Sequence, residues 1–254
     1  MFMRLLHIKL KPDDLPELHT FYDSAVFAAL QQTPGCRYAC LIQSNRRKEE
    51  TISMTLWDTK EHADGYERSG IFQKLLDQMR PRLSDSSEWM IQLSKDLTLE
   101  YAPVAEQPTA KTYAVTAIAG GMPPPSKSLA PMHMRIVSVR IDPEKVAEFL
   151  RLYELEVLPV LKKVKGCRYV YLTQNAGDKT EWISITIWER KEDADRYEQA
   201  GMYDLLKSKV KHTFTEMYQW QMELEKSQAG AVVSSNDDVL TDGYRIVTGR
   251  GFSH

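Results

Sequence analysis

Trp57, Tyr66 and Arg37 each have a twin 131 positions later, at Trp188, Tyr197 and Arg168. Ser53 and Thr55 recur at the same interval, as Ser184 and Thr186. An indole, a phenol, a guanidinium and two hydroxyls can line a dry slot around a flat aromatic molecule. They can also offer donors and positive charge to an oxygen that becomes anionic as that molecule reacts. Trp57, Trp188, Tyr66 and Tyr197 are therefore candidates for catalytic contact. Arg37, Arg168, Ser53, Thr55, Ser184 and Thr186 are candidates for holding a substrate. A plainer reading stands beside this one. A strand-end tryptophan caps a core through its large buried area alone, and Arg37 and Arg168 point away from Tyr38 and Tyr169 by strand alternation.

Other reactive side chains fit a site less well. Cys36 and Cys167 follow turn glycines and read as small buried residues. Cys36 and Cys40 share a strand face by alternation, but no His or Cys cluster accompanies them, so zinc is not expected. None of the 6 histidines is repeated; His7 pairs with Ser138, His62 with Asp193 and His133 with Phe2. A symmetric histidine site is thereby excluded, and no carboxylate pair is arranged for acid–base work.

The interval itself dictates the architecture. Sliding residues 3–70 onto 134–201 without a gap gives 26 identities in 68 positions, a period too long for a solenoid and suited to a small domain. The register continues to Tyr113/Tyr244 and Gly120/Gly251, so the C-terminal YRIVTGRG reads as an ordered extension. The expected division is a first module with its extension over 1–122, a Pro-rich, extended linker over 123–131, and a second module over 132–254.

Each module reads as β-α-β-β-α-β, the ferredoxin-like arrangement. Strands are expected at 3–10 and 134–141, followed by helices at roughly 13–32 and 144–163. Pro159 should kink the second of these helices, whereas its counterpart Ala28 leaves the first one free of that constraint. Gly35 and Gly166 punctuate the turn into a second strand, a hairpin leads to a third, and a second helix covers roughly 59–79 and 190–211. Last strands are expected near 88–93 and 219–224, with Trp89 and Trp220. Strand three alternates Ile52, Met54, Leu56 against Ser53, Thr55, Trp57. Strand one is apolar on both faces. Helices cover only one face of such a sheet, so the other must pack on the second module. The fold class is α+β, with two modules packed sheet to sheet as a pseudo-dimeric α+β barrel.

Composition narrows the function. With 33 basic and 35 acidic residues the net charge is −2, and the short run Arg46-Arg47-Lys48 is answered by Glu49-Glu50, so nucleic acid is not an expected partner. No apolar run spans a bilayer, and the N-terminus lacks a signal-peptide layout. The 3 cysteines suit a reducing compartment. A cytoplasmic location is expected, and membrane partners are not.

The β-α-β-β-α-β order, the Gly35-Cys-Arg-Tyr turn, the strand ending Trp57-Asp58 and the helix Ala63-Asp64-x-Tyr66-Glu67-x-Ser69-Gly70-Ile71-Phe72 resemble the antibiotic biosynthesis monooxygenase (ABM) domain family of the dimeric α+β barrel superfamily. All recur in the second module. The resemblance implies cofactor-independent oxygenation of an aromatic or polyketide-like small molecule. Quinone-forming members use an Asn and a Trp on strand three with a nearby Tyr and Arg. Trp57 and Trp188 match the Trp, Ser53 or Ser184 stands at the Asn position, and Arg37 and Arg168 are not at the family's arginine position. Haem-degrading members use a His ten residues after the helix-two aromatic. Leu76 and Lys207 stand there, so haem is disfavoured, leaving only an unusual site at His7. No cofactor or metal is therefore expected. The expected partner is a small apolar or aromatic ligand. The rival is a non-catalytic small-molecule or haem-binding protein on the same scaffold. A third arrangement has one module binding while the other completes the barrel. Such an internal pseudo-dimer is compatible with further homodimerisation.

Overall fold

The computed structural model describes residues 1–11, 13–93, 99–105, 108–123, 129–215 and 241–252. The first module contributes β1 (Phe2–Lys9), β2 (Cys36–Ser44) and β3 (Glu50–Trp57), and the second β7 (His133–Arg140), β8 (Cys167–Asn175) and β9 (Glu181–Trp188). Two longer strands, β6 (Thr109–Ala119) and β10 (Thr241–Gly251), join them. Their order round the closed barrel is β1-β3-β2-β10-β7-β9-β8-β6. The strand β6 pairs with β1 of its own module and β8 of the other, while β10 pairs with β7 and β2. These two strands sew the modules together at both seams and leave the barrel no free edge.

The extensions are thus barrel staves. The expected last strand near 88–93 exists as β4 (Asp85–Leu93), but it pairs with β5 (Leu99–Ala105) as a separate two-stranded ribbon. Its place at the module edge is taken by β6. The expected strand at 219–224 lies outside the described residues, as does linker segment 124–128. At the far end of that linker, Leu129 is wholly buried in the barrel interior.

Strand alternation divides the core in three. Met3, Leu5, Ile52, Met54, Leu56 and their twins Met134, Ile136, Ile183, Ile185 and Ile187 fill the barrel. The opposite faces of the same strands meet the helices, forming one core per module around Trp57 or Trp188. A bulge between Cys36 and Tyr38 upsets the simple alternation. The extra residue, Arg37, lets Cys36 face the helices while Cys40 faces the barrel, so the two thiols do not share a face.

The helix layer differs from expectation in two ways. In the first module α1 (Leu15–Phe21) runs through a π-helical turn, Tyr22–Val26, into α2 (Phe27–Gln31). In the second, α5 (Val146–Leu152) runs through Tyr153–Val157 into α6 (Leu158–Leu161). The amide of Phe27 donates to the Tyr22 carbonyl and that of Leu158 to the Tyr153 carbonyl. Both modules share this widening, so Pro159 is not its cause; it sits in the first turn after it, where its missing N–H costs little. The second helix is broken in each module, α3 (Lys60–Arg68) from α4 (Ile71–Met79) and α7 (Lys191–Gln199) from α8 (Met202–Val210). Gly70 and Gly201 make the break with φ of 77° and 72°, a left-handed conformation that favours glycine.

Two consequences of barrel closure can be measured. Ile246 of β10 is 1% exposed and belongs to the interior cluster, so Ile246→Ala should lower unfolding free energy by about 2–5 kcal/mol. Urea unfolding checks this; a loss near zero would mean that β10 is not a stave. His133, at the β10–β7 seam, is held neutral by burial, with Lys191 adding to the effect, and its pKa falls to about 4. Its folded value lies below its unfolded one, so the contribution is full above pH 6.5 and is lost as pH falls towards 4. The unaltered protein should lose up to about 3 kcal/mol over that window relative to His133→Gln, read from urea midpoints at successive pH values.

Candidate functional site

Between sheet and helices each module holds a small apolar cavity, of about 40 Å³ in the first and about 70 Å³ in the second. The same positions build both. On β1 and β7 the helix-facing residues Arg4 and Arg135 stand directly across from Thr55 and Thr186. One step along, Leu6 and Val137 stand across from Ser53 and Ser184. All eight line the cavities, with Tyr66 and Tyr197 closing them from the helix side.

The π-turns supply a feature that the sequence reading lacked. Tyr22 and Tyr153 begin those turns, and their hydroxyls reach across to the sheet. Tyr22 Oη lies 2.9 Å from Ser53 Oγ and donates to the Cys40 carbonyl at 3.2 Å. Tyr153 Oη lies 2.7 Å from Ser184 Oγ. Burial raises the pKa of both phenols, so at neutral pH each remains a donor.

The indoles stand behind this wall. Trp57 and Trp188 are fully buried, and their Nε1–H groups donate to Thr55 and Thr186 Oγ1, each at 2.8 Å. With the lone pair occupied, each threonine hydroxyl can turn its own proton elsewhere. The rings also pack on Tyr66 and Tyr197, with centroids 5.4 and 5.2 Å apart. Tyr66 and Tyr197 have pKa values raised by burial, partly offset by Arg4 and Arg135 respectively.

Arg37 and Arg168, the cations singled out by sequence, do not join this group. They sit at the bulges, outside both cavities, where Arg37 Nε donates to Asp58 at 2.7 Å and Arg168 pairs with Glu189. The guanidiniums that the structure brings to the cavities belong to Arg4 and Arg135, 5% and 4% exposed. Each lies over an aromatic face, Arg4 at 4.1 Å from the Phe72 centroid and Arg135 at 4.0 Å from that of Tyr203. Each has one exposed carboxylate nearby: Glu67 at 3.3 Å and Glu198 at 2.6 Å. Arg4 Nη2 and Arg135 Nε are buried without an acceptor; the 3.3 Å approach of Glu67 to Arg4 lacks hydrogen-bond geometry. Burial lowers the Arg4 pKa, with Glu67 opposing, yet a guanidinium stays charged at neutral pH.

Arg4/Arg135 and Tyr22/Tyr153 are also identical pairs at the 131-residue interval. Strand one shows no polar–apolar alternation that would set an arginine apart as inward-facing, and the π-turn has no signature in helical spacing.

Among the described residues neither cavity is lined by a carboxylate, a histidine or a cysteine, and no cluster of three or more metal-ligating side chains occurs. Leu76 and Lys207 both line cavities, and neither is the histidine that a haem iron would need.

The family model for antibiotic biosynthesis monooxygenase matches residues 1–78 and again 132–205, more than half of the chain. The chain belongs to the antibiotic biosynthesis monooxygenase family. Solved structures agree in fold. A "putative monooxygenase" from Fusobacterium nucleatum has a TM-score of 0.66 at 8% identity, with 98% of this chain and 94% of that one covered. An anthrone oxidase-like protein has a TM-score of 0.61 at 10% identity, covering 100% and 93%. A "putative monooxygenase" from Lactobacillus acidophilus gives 0.55 at 12%, covering 97% and 93%. At these identities the likeness is one of fold. No curated protein matches the sequence. The two matched modules close one barrel within a single chain, and among the described residues no helix is long and apolar enough to cross a membrane.

The hydroxyl contact to Ser184 should be measurable in stability. Tyr153→Phe removes a buried donor and leaves Ser184 without that partner, at a cost of about 1–2 kcal/mol, read from the urea midpoint. Because Ser184→Ala removes the same bond from the other side, the double variant should cost less than the sum of the two singles.

Proposed function

We propose that this ABM-family chain is a monooxygenase that oxidises a small aromatic or polyketide-like molecule in the sheet–helix cavities without metal or flavin. The observation that carries the reading is a buried guanidinium with an unpaired N–H on the wall of an apolar cavity. Such a donor finds its acceptor when an oxygen-bearing aromatic ring enters, and in a dry site its charge favours the ionised form of that oxygen.

The reaction type that fits is oxidation of a ring-activated methylene. The substrate ionises, reduces dioxygen, and takes one oxygen atom as a carbonyl while the other leaves as water. CH2 plus O2 gives C=O plus H2O, with all four electrons coming from the substrate. Arg4 or Arg135 stabilises the developing oxyanion. Tyr66 or Tyr197 donates from the opposite side, and the hydroxyls of Ser53 and Thr55, or of Ser184 and Thr186, orient the ring. Trp57 and Trp188 are positioning residues, acting through the threonine that each one holds. Because neither cavity is lined by a carboxylate or a histidine among the described residues, the substrate is one acidic enough to ionise with water as proton acceptor, as phenols and anthrones are.

Arg37 and Arg168 contribute outside the cavity, by fixing the bulge through Asp58 and Glu189. The rival reading, a binding protein without turnover, draws on the same missing base.

Oxygen-electrode assays with a panel of anthrones and polycyclic phenols test the proposal. Turnover should follow one or more of them, and Arg135→Gln should lower kcat/KM by about 10²-fold or more, as loss of an oxyanion donor does. Binding of the whole panel without oxygen consumption would establish the non-catalytic reading instead.

A further inference from the structure

The two cavities have diverged in what surrounds them. In the second module Tyr197 lines the inner cavity and also a larger outer groove of about 430 Å³, shared with Val160, Val164 and Met202. Tyr197 is the side chain common to the two linings, so turning it would join the inner cavity of about 70 Å³ to the groove.

Three residues of the groove are cationic, Lys163, Lys165 and Arg196, and none of their twins, Gln32, Pro34 and Gly65, is. The groove's one carboxylate, Asp193, is buried and pairs with Arg196. Lys163 and Lys165 are exposed and form no ion pair among the described residues. Inside, the second cavity carries Lys207 where the first carries Leu76; its ammonium lies 2.8 Å from Asp204 and 4.8 Å from the Tyr203 ring centroid.

We propose that the second module is the one that receives substrate, and that the substrate is an aromatic acid. Its ring passes Tyr197 to lie beside Arg135, while its carboxylate stays in the groove against Lys163 and Lys165. The first module then serves as the scaffold that closes the barrel. The proposal rests on the reading of the cavities as aromatic sites. It adds the module, the access route and the acidic group.

Two probes of the same ring size separate these points. 6-Hydroxy-2-naphthoate carries a phenol and a carboxylate at opposite ends, and 2-naphthol carries the phenol alone. Titrated into the full-length protein by calorimetry at low ionic strength, the naphthoate should bind about tenfold more tightly. That advantage should shrink towards unity in Lys163→Gln/Lys165→Gln and on raising the salt, since exposed charges are screened within about 10 Å at 0.1 M. Both lysines are exposed, so the variant should fold normally, and Lys74→Gln on the first module should behave as the unaltered protein. Arg135→Gln should weaken both probes and Arg4→Gln neither. Equal affinity for the two probes, or a naphthoate advantage that survives the double variant, overturns the acidic-group assignment while leaving the cavity reading intact. Loss of binding on Arg4→Gln alone overturns the choice of module. If neither probe binds the unaltered protein, the cavity reading falls and the proposal falls with it.

Discussion

Both faces of the sheet are apolar, and nearly everything else in this molecule follows from that constraint. Helices can cover only one side of a module's strands. The other side is covered by closing the sheet on a second copy, so that Ile52, Met54 and Leu56 meet Ile183, Ile185 and Ile187 within one interior. Closure needs staves that belong to both modules, which is what β6 and β10 provide. The barrel interior is filled with side chains, and the two apolar cavities lie on the helix-facing side. Their sheet wall is built mainly from the outward faces of β1, β3, β7 and β9.

That face carries a costly group. A guanidinium buried to 4–5% exposure gives up most of its hydration, and a water-facing carboxylate returns only part of it. Phe72 and Tyr203 compensate through their ring faces. One nitrogen of each arginine still has no acceptor. A purely structural position would be served better by an aliphatic residue, as at Leu6 or Val137 two positions along the strand. The same outward face holds a serine and a threonine on the adjacent strand, each already engaged by a tyrosine or a tryptophan. Polar groups fixed by their neighbours inside an apolar chamber are poorly explained by packing and well explained by a ligand that presents oxygen.

Much of this fold could be read from residue order. The repeat, the alternation on strand three and the turn glycines specify two modules that share a covered face, because periodicity and positive-φ glycines are local signals. Tyr66, Ser53 and Thr55 were legible for the same reason. Three features were not. The π-turns that aim Tyr22 and Tyr153 into the cavities arise from one shifted hydrogen bond, which leaves helical spacing almost unchanged. The bulge at Arg37 reverses strand alternation locally, so Cys36 and Cys40 looked coplanar; Arg37 stood out as a repeated cation, and repetition does not tell whether a residue faces a cavity. The strand β6 took the edge place expected of β4, which pairs with β5 instead, because pairing partners are chosen by the closed barrel, a long-range condition that no window of sequence contains.

Duplication within one chain also changes what selection can do. In a homodimer every substitution appears in both sites, so a cation added at one cavity mouth is added at the other. Here the copies are free to differ, and the differences are not spread evenly. Six polar or aromatic residues in or behind the cavity wall are repeated: Arg4/Arg135, Tyr22/Tyr153, Ser53/Ser184, Thr55/Thr186, Trp57/Trp188 and Tyr66/Tyr197. Three positions that are cationic in the second module are not: Lys207, inside the cavity, stands against Leu76, and Lys163 and Lys165, in the groove, against Gln32 and Pro34. The second cavity is also the roomier of the two, about 70 against about 40 Å³. A scaffold role tolerates loss of charge and volume at the mouth, but it requires the wall, since the wall is also the helix–sheet core. A difference in charge around the cavity, beside polar wall positions that are kept, is what one working site and one retained support would leave behind.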